Sequence, residues 1–250
     1  MSAWSRIVAA GPAVLVLVVS TAALLVLPQV VLAPVLALLP RGQRGHPEHA
    51  RAPWALVTPA FAALLAAVFL IQASTGAWGG FFALHVRALG LSDSLPGIAF
   101  ALPVLLEMFV FHAGRRLLVR VAPADLILVT LAATVVRWVL SALVTSEAGV
   151  VLVQLGHVFT FSVLHLAAVA LVAELVPPEN ATSGQSLYGG IGFGVGATVG
   201  IAFAGLLVDR VGTIGLFWAE AGVATLALAP ALALRRLRAP ARAVAVRWHT

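Results

Sequence analysis

The sequence contains no cysteine and no lysine, and each absence excludes a class of chemistry. Without cysteine, the chain of 250 residues has no disulfide, no thiolate nucleophile and no cysteine metal site. All 15 basic residues are arginine, so a retinal Schiff base and other lysine-dependent reactions are excluded as well. Charged residues make up only 10% of the chain, which is well below the usual share in a soluble protein.

Apolar residues are correspondingly abundant. They make up 62% of the chain, and several runs exceed the roughly 18 to 20 residues that a helix needs to cross a bilayer. We therefore expect an all-α polytopic membrane protein with about seven transmembrane helices. The predicted spans are residues 7–39, 56–84, 95–113, 125–144, 149–176, 183–208 and 213–234.

These spans predict four regions along the chain. An N-terminal transmembrane helix occupies residues 1–40, although a signal peptide is an alternative because Arg6 precedes the apolar run. A basic cytoplasmic loop follows at 41–55, then a six-helix transmembrane bundle at 56–234. A basic cytoplasmic tail ends the chain at 235–250.

The arginines predict the orientation of the chain. If successive loops alternate between the two sides, eleven arginines fall on one side, including the short basic loop at 114–120. The other side receives only Arg6, Arg87 and Arg210. Because cytoplasmic loops carry the excess of basic residues, we expect a cytoplasmic C-terminus, an outside N-terminus and a location in a bacterial inner (plasma) membrane. The net charge of +6 then reflects membrane orientation rather than binding to nucleic acid.

Ionisable side chains inside the apolar runs are the best candidates for function. Glu107, Arg137, His157 and His165 all lie within predicted spans. A charge at membrane depth costs about 2.5 kcal/mol or more, so it is retained mainly where it faces a partner or a wet cavity. Chains of carboxylate and imidazole groups in membranes commonly relay protons. We expect these four residues to form ion pairs and to serve in proton coupling; the alternative is that they bridge helices without moving protons.

The rise of the helix predicts which of these groups meet. Arg137 and His157 lie at about the same depth on antiparallel neighbours, some 18 Å above the inner edge of the hydrocarbon. His165 lies about 12 Å deeper than His157, at a level that Glu107 also reaches. The sequence thus predicts an upper layer of Arg137 with His157 and a lower layer of Glu107 with His165.

Other residues suggest solute binding and helix packing. Gln72 and Gln154 are polar groups inside apolar runs, and Trp78 lies in a cluster of aromatic and small residues, so we expect these three to contact solute. Gly192, Gly196 and Gly200 repeat every four residues on one helix face, which is typical of close packing between membrane helices.

At these residues the chain resembles the C-terminal half of a major facilitator superfamily transporter, in the branch of phenylpropionate permease-like and nucleoside or sugar proton symporters. The resemblance covers about residues 56–235 and rests on the order and spacing of several motifs. These are Leu105-Leu106-Glu107-Met108-Phe109-Val110-Phe111 before the basic loop, Val135-Val136-Arg137-Trp138, Gln154-Leu155-Gly156-His157-Val158-Phe159-Thr160-Phe161 with His165, and Gly205-Leu206-Leu207-Val208-Asp209.

The resemblance implies roles for particular residues. In lactose permease-like symporters a Glu on helix eight, an Arg on helix nine, and a His and a Glu on helix ten carry proton coupling. Arg137 and His157 match the Arg and the His in type and separation, and Glu107 lies about one turn from the position of the helix-eight Glu. The Glu of helix ten has no counterpart, because Thr160 occupies its place.

The expected function is secondary active transport of a small organic solute, coupled to protons, by alternating access. The expected partners are the lipid bilayer, the solute, protons and either a missing N-terminal half or further copies of this chain; we expect no cofactor and no metal. An intramembrane enzyme is disfavoured, because zinc-protease, serine-elbow and paired-aspartate motifs are all absent from the sequence. A non-transporting seven-helix subunit or receptor remains the alternative.

Overall fold

The computed structural model describes residues 53–238, and all regular structure in that range is helical. The predicted N-terminal helix (1–40), almost all of the loop at 41–55 and the tail after Arg238 lie outside the described residues. Five described stretches are long and apolar enough to cross a membrane, in agreement with the expected all-α membrane class. They are Pro59–Ala88, Leu95–Gly114, Pro123–Leu143, Glu147–Leu175 and Pro178–Arg238.

The first of these stretches is broken in the middle. It consists of α1 (Pro59–Ala73), which the Thr58 hydroxyl caps, and α2 (Gly76–Ala88). At the break the Ser74 hydroxyl donates to a carbonyl of α1 at 2.6 Å, and the Thr75 hydroxyl donates to another at 2.7 Å. These hydroxyls satisfy the carbonyls that the end of α1 leaves open. The first backbone N–H groups of α2 therefore need acceptors from elsewhere.

The next helix, α3 (Leu95–Arg120), is longer than the sequence predicts. The predicted basic loop at 114–120 is wrong, because these residues continue the helix. Leucine and arginine both favour helix, and arginines near the C-terminal end are also stabilised by the helix dipole. The connection to the next helix is accordingly reduced to Val121 and Ala122.

The third and fourth stretches form an antiparallel pair of spans. The third is α4 (Pro123–Leu143), and the fourth consists of α5 (Glu147–Leu155), a π-helical turn (Phe159–Val163) and α6 (Leu164–Leu175). The Ser146 hydroxyl caps α5 by accepting the N–H of a residue in its first turn at 3.3 Å. This span therefore begins two residues before the predicted boundary at 149, which shifts the depth of every residue within it.

The last stretch is 61 residues long and contains a reversal of the chain. Its helices are α7 (Ala181–Leu187), a π-helical segment (Tyr188–Val195), α8 (Gly196–Leu226) and α9 (Leu228–Arg238).

A positive φ of 67° at Gly212 interrupts α8. Gly200, which precedes it, lies against Gly76, and Glu220, which follows it, binds the N–H of Ala77. In a straight helix residues 200 and 220 would be about 30 Å apart, yet both contact the first turn of α2. The chain therefore turns back on itself at Gly212.

Glycines allow the last stretch to pack directly against the backbone of α1. A Cβ atom on Gly200 would lie 2.3 Å from the carbonyl oxygen of Ala73, and one on Gly196 would lie 2.8 Å from that of Phe69. No side chain fits at such distances. The predicted small-residue packing face is confirmed.

Two ion pairs join three helices at the end of the bundle where α9 finishes with Arg235, Arg236 and Arg238. Arg235 Nε lies 2.8 Å from Asp125 Oδ1, and Arg238 pairs with Glu174. The first pair connects α9 to the start of α4, and the second connects α9 to the end of α6. The ends of α4, α6 and α9 are therefore held together.

Candidate functional site

Arg137 is the centre of a buried polar cluster between α4 and the neighbouring span. Its side chain is almost completely covered, with 2% of the residue exposed. The guanidinium donates from Nη2 to Gln154 Oε1 at 2.6 Å, from Nη1 to Thr160 Oγ1 at 2.8 Å and from Nη1 to His157 Nδ1 at 3.3 Å. A charge removed from water needs such partners to offset its desolvation. The predicted contact between Arg137 and His157 is present.

The contact with Arg137 assigns the tautomer of His157. A guanidinium has donors and no acceptor, so the His157 Nδ1 atom must accept. A neutral imidazole then carries its proton on Nε2, and this atom lies 3.4 Å from Glu107 Oε1. The contact is too long and too poorly aligned for a regular hydrogen bond, and Oε1 has no hydrogen-bond partner among residues 53–238. A short movement of α3 would complete the bond.

Two indole rings enclose the guanidinium. The Arg137 Cζ atom lies 4.4 Å from the ring centroid of Trp138 and 5.0 Å from that of Trp78. The Trp78 ring also stacks on the His157 ring, with centroids 4.4 Å apart. Cation–π contacts of this kind stabilise a cation most where water is excluded. Trp78, on α2, thus connects the first span to the polar cluster.

The predicted pairing of Glu107 with His165 is wrong. His165 Nδ1 lies 2.9 Å from the hydroxyl of Tyr188, whereas Glu107 faces His157. The prediction placed the start of the fifth span at 149, but α5 begins at Glu147, which moves His157 about 3 Å deeper and toward the level of Glu107. His165 therefore lies too deep to reach the carboxylate, and the side chain available at its level is Tyr188.

A column of parallel rings runs along the fourth stretch. The centroids of His157 and Phe161 are 5.6 Å apart at an interplanar angle of 15°, and those of Phe161 and His165 are 6.2 Å apart at 8°. Four residues of α-helix advance about 40° beyond a full turn, so rings at this spacing normally diverge. The π-helical turn between them needs more residues per turn, and it brings the rings into line. Phe161 separates the two histidines.

Comparison with known proteins identifies the family to which this site belongs. Residues 7–219 match the family described as "MFS_1 like family", where MFS denotes the major facilitator superfamily. The chain belongs to the MFS_1 like family. It is 33% identical over 171 residues to the "Probable 3-phenylpropionic acid transporter" of Escherichia coli strain K12. That alignment covers 68% of this chain and 44% of the relative, so the chain spans less than half the length of the curated protein that it matches.

Membership of the MFS_1 like family confirms the resemblance found in the sequence. It places the chain in a family of membrane transporters rather than of enzymes. Among residues 53–238 no group of three or more histidine, aspartate or glutamate residues is arranged to hold a metal ion.

The three residues expected to bind solute have different surroundings in this MFS_1 like chain. Gln154 is 1% exposed, accepts from Arg137 and donates to Ser141 Oγ at 3.5 Å, so its amide is already occupied. Gln72 is buried where α1 packs on α8, with its Cβ atom beside Gly196. Trp78 has a spare polar atom: its indole Nε1 is buried and has no hydrogen-bond partner in the described part of the chain.

Sequence reasoning missed three of the polar contacts. Thr160 was noted only as a replacement for glutamate, yet its hydroxyl receives a hydrogen bond from Arg137. Tyr188, which holds His165, is the single tyrosine of the chain and lies in a glycine-rich run that indicates packing. Glu220 was visible as a carboxylate in an apolar span, but its partner is an N–H group at a helix break, and a helix break cannot be read from spacing.

Proposed function

We propose that the chain is a secondary active transporter, or part of one, that moves a small organic solute together with a proton by alternating access. The buried cluster of Glu107, His157 and Arg137 is the observation that carries this proposal. Ionisable groups at membrane depth usually mark the path of an ion or a substrate. The chain belongs to a family of transporters, and its buried acid, imidazole and guanidinium lie together. Such a cluster is well suited to link the movement of a solute to that of a proton.

Glu107 is the group that takes up and releases the proton, and His157 is its hydrogen-bond donor. Because Arg137 occupies Nδ1 of the imidazole, the neutral ring carries its proton on Nε2, the atom that faces Glu107, and it can donate to the ionised carboxylate. The 3.4 Å separation requires a small approach of α3 before that hydrogen bond forms. Protonation of Glu107 is thereby linked to the position of a helix, which is the link that coupled transport requires.

The solute that the site suits best is a small carboxylic acid with an apolar or aromatic body. Two buried donors have no hydrogen-bond partner among the described residues, Arg137 Nε and Trp78 Nε1, and both belong to the same cluster. They can receive a carboxylate, while the rings of Phe161 and Phe100 surround the remainder of the solute. The related protein is named for 3-phenylpropionic acid, which has this chemistry.

We propose six spans within residues 59–238, because the reversal at Gly212 divides the last stretch in two. With the predicted N-terminal helix this makes seven, with the arginine-rich segments and the C-terminus in the cytoplasm. Transporters of this kind work as two repeats that rock around a central site. The second half would come from another polypeptide segment or from a second copy of this chain.

The experiment is uptake of labelled 3-phenylpropionate into proteoliposomes with an imposed pH gradient. We expect Glu107→Gln and Arg137→Ala to reduce gradient-driven uptake by at least tenfold. Glu179→Gln is the matched control, since it makes the same change at an exposed position, and it should transport like the wild type. Uptake that does not depend on the gradient would refute proton coupling. Full uptake by both site variants would refute the assignment of the site.

A further inference from the structure

Glu220 is a second buried carboxylate that the proposed mechanism does not use. It lies in the part of α8 that follows Gly212, and 3% of the residue is exposed. One carboxylate oxygen accepts the backbone N–H of Ala77. The other, Oε2, is buried and has no hydrogen-bond partner among residues 53–238. A carboxylate buried at such cost needs an electrostatic reason to be there.

The N–H group that Glu220 binds is at the break in the first span. Hydroxyls of Ser74 and Thr75 occupy carbonyls at the end of α1, and the first turn of α2 depends on an acceptor from another helix. Glu220 supplies that acceptor to Ala77. The next residue is Trp78, whose ring contacts both His157 and Arg137. Glu220 thus fixes the turn from which the tryptophan enters the cluster.

Glu220 also contributes to the charge balance of the cluster. Glu107 and Glu220 are two buried carboxyl groups, and Arg137 is a buried cation of the same cluster. The His157 ring is neutral in the tautomer assigned above, so one arginine balances one ionised acid. The cluster is therefore neutral when its two carboxyl groups hold one proton between them.

Other ionisable groups near Glu220 do not change this count. On the neighbouring α2, His85 bonds to Thr213 through Nδ1 at 3.0 Å and packs against the Phe217 ring. The sequence of α1 contains no ionisable side chain. The count therefore includes Arg137, Glu107 and Glu220.

We propose that Glu220 is a positioning residue of the transport site: it anchors the first turn of α2, and with it Trp78, and it provides the second carboxylate that lets the cluster hold one proton at electrical neutrality. This inference rests on the proposed function for its charge role but not for its anchoring role. Removing the charge of Glu220 would leave Arg137 and Glu107 balanced without a proton. Solute would then cross without the proton that normally accompanies it.

The anchoring role is tested without transport, by hydrogen exchange of the full-length protein read by mass spectrometry. Glu220→Ala removes the acceptor, whereas Glu220→Gln retains an oxygen that can accept from Ala77. We expect deuterium uptake in peptides covering residues 76–88 to rise at least threefold in the alanine variant and to stay near wild type in the glutamine variant. Unchanged exchange in Glu220→Ala would overturn the anchoring role.

The charge role is tested with 3-phenylpropionate in proteoliposomes, comparing exchange at equilibrium with accumulation driven by a pH gradient. We expect Glu220→Gln to keep exchange within about twofold of wild type and to lose at least tenfold in accumulation. Accumulation equal to wild type, or an equal loss of exchange and accumulation, would overturn this role. If the wild type neither exchanges nor accumulates the solute, the proposed function fails, and hydrogen exchange alone then decides whether Glu220 is an anchor.

Discussion

Arg137 organises the site because its guanidinium donates in several directions at once. Its Nη atoms reach an amide, a hydroxyl and an imidazole on one neighbouring span, and its face lies against two indole rings. This geometry uses the planar fork of arginine, which an ammonium group lacks. The shape of the side chain at position 137 therefore matters as well as its charge.

The first prediction concerns the planar guanidinium group of Arg137. Arg137→Lys keeps the positive charge, but a single ammonium cannot serve Gln154, Thr160 and His157 together. We expect gradient-driven uptake to fall by about tenfold or more, which corresponds to about 1.4 kcal/mol of activation free energy. Arg210→Lys, an identical change at an exposed position, is the control. Normal uptake in Arg137→Lys would show that charge alone suffices.

For individual residues, the sequence predicted the contact of Arg137 with His157, because both lie in neighbouring helices at the same depth in the membrane. It failed for His165 because a two-residue error in a helix start moves a side chain by about 3 Å, which is enough to change its partner. The Glu220 contact was beyond prediction, since it depends on a helix break that hydrophobic patterns do not reveal.

Irregular helical elements determine how the site is built. The break after α1 opens the first turn of α2, the π-helical turn at Phe159–Val163 aligns three rings, and Gly212 turns the last stretch back on itself. Apolar runs predicted the approximate limits of most of these stretches, because burial in hydrocarbon requires length and hydrophobicity alone. They predicted six spans over residues 56–234, whereas the structure has five stretches long and apolar enough to cross a membrane among residues 53–238. The break after α1 and the π-helical turn depend on hydroxyl groups and local dihedral angles, so they appeared only in the structure. The turn that ends at Gly212 was predicted, because the apolar pattern stops at 208 and resumes at 213.

The second prediction concerns contact between α8 and α1. Gly200→Ala would place a Cβ atom 2.3 Å from the carbonyl oxygen of Ala73, so the helices must separate. We expect a loss of about 1 to 3 kcal/mol in stability, as for other overpacked interiors. Thermal unfolding of the purified protein in detergent provides the measurement.

A matched glycine serves as the control for that substitution. A Cβ atom on Gly189 would meet nothing within 4 Å, so Gly189→Ala should leave the unfolding temperature unchanged or raise it slightly. Equal destabilisation in both variants would show that helix propensity, rather than close approach of the backbones, governs these positions.

At the scale of the whole molecule, the arginine distribution sets an expected orientation. The ion pairs of Asp125 with Arg235 and of Glu174 with Arg238 gather helix ends at the side that the arginines assign to the cytoplasm. These ends are fastened to one another, while the polar cluster lies deeper in the bundle. Movement of one half against another would therefore carry this end as a unit.

The third prediction tests this orientation and uses the absence of native cysteine. Single cysteines at Ser94 and Ala122, both exposed and on opposite sides of the predicted membrane, are introduced in turn. We expect a membrane-impermeant maleimide to label Ser94→Cys in intact cells and Ala122→Cys only after lysis. The reverse pattern would invert the topology, and labelling of both in intact cells would refute the assigned span between them.

The ring of Phe161 lies between the rings of His157 and His165. A hydrocarbon ring cannot pass a proton by hydrogen bonding, so this stack does not relay a proton from one histidine to the other. Under the proposed function, a proton that Glu107 takes up is therefore released again by Glu107 at a later step, rather than handed along the stack toward His165. Entry and exit would then be separated in time rather than in space.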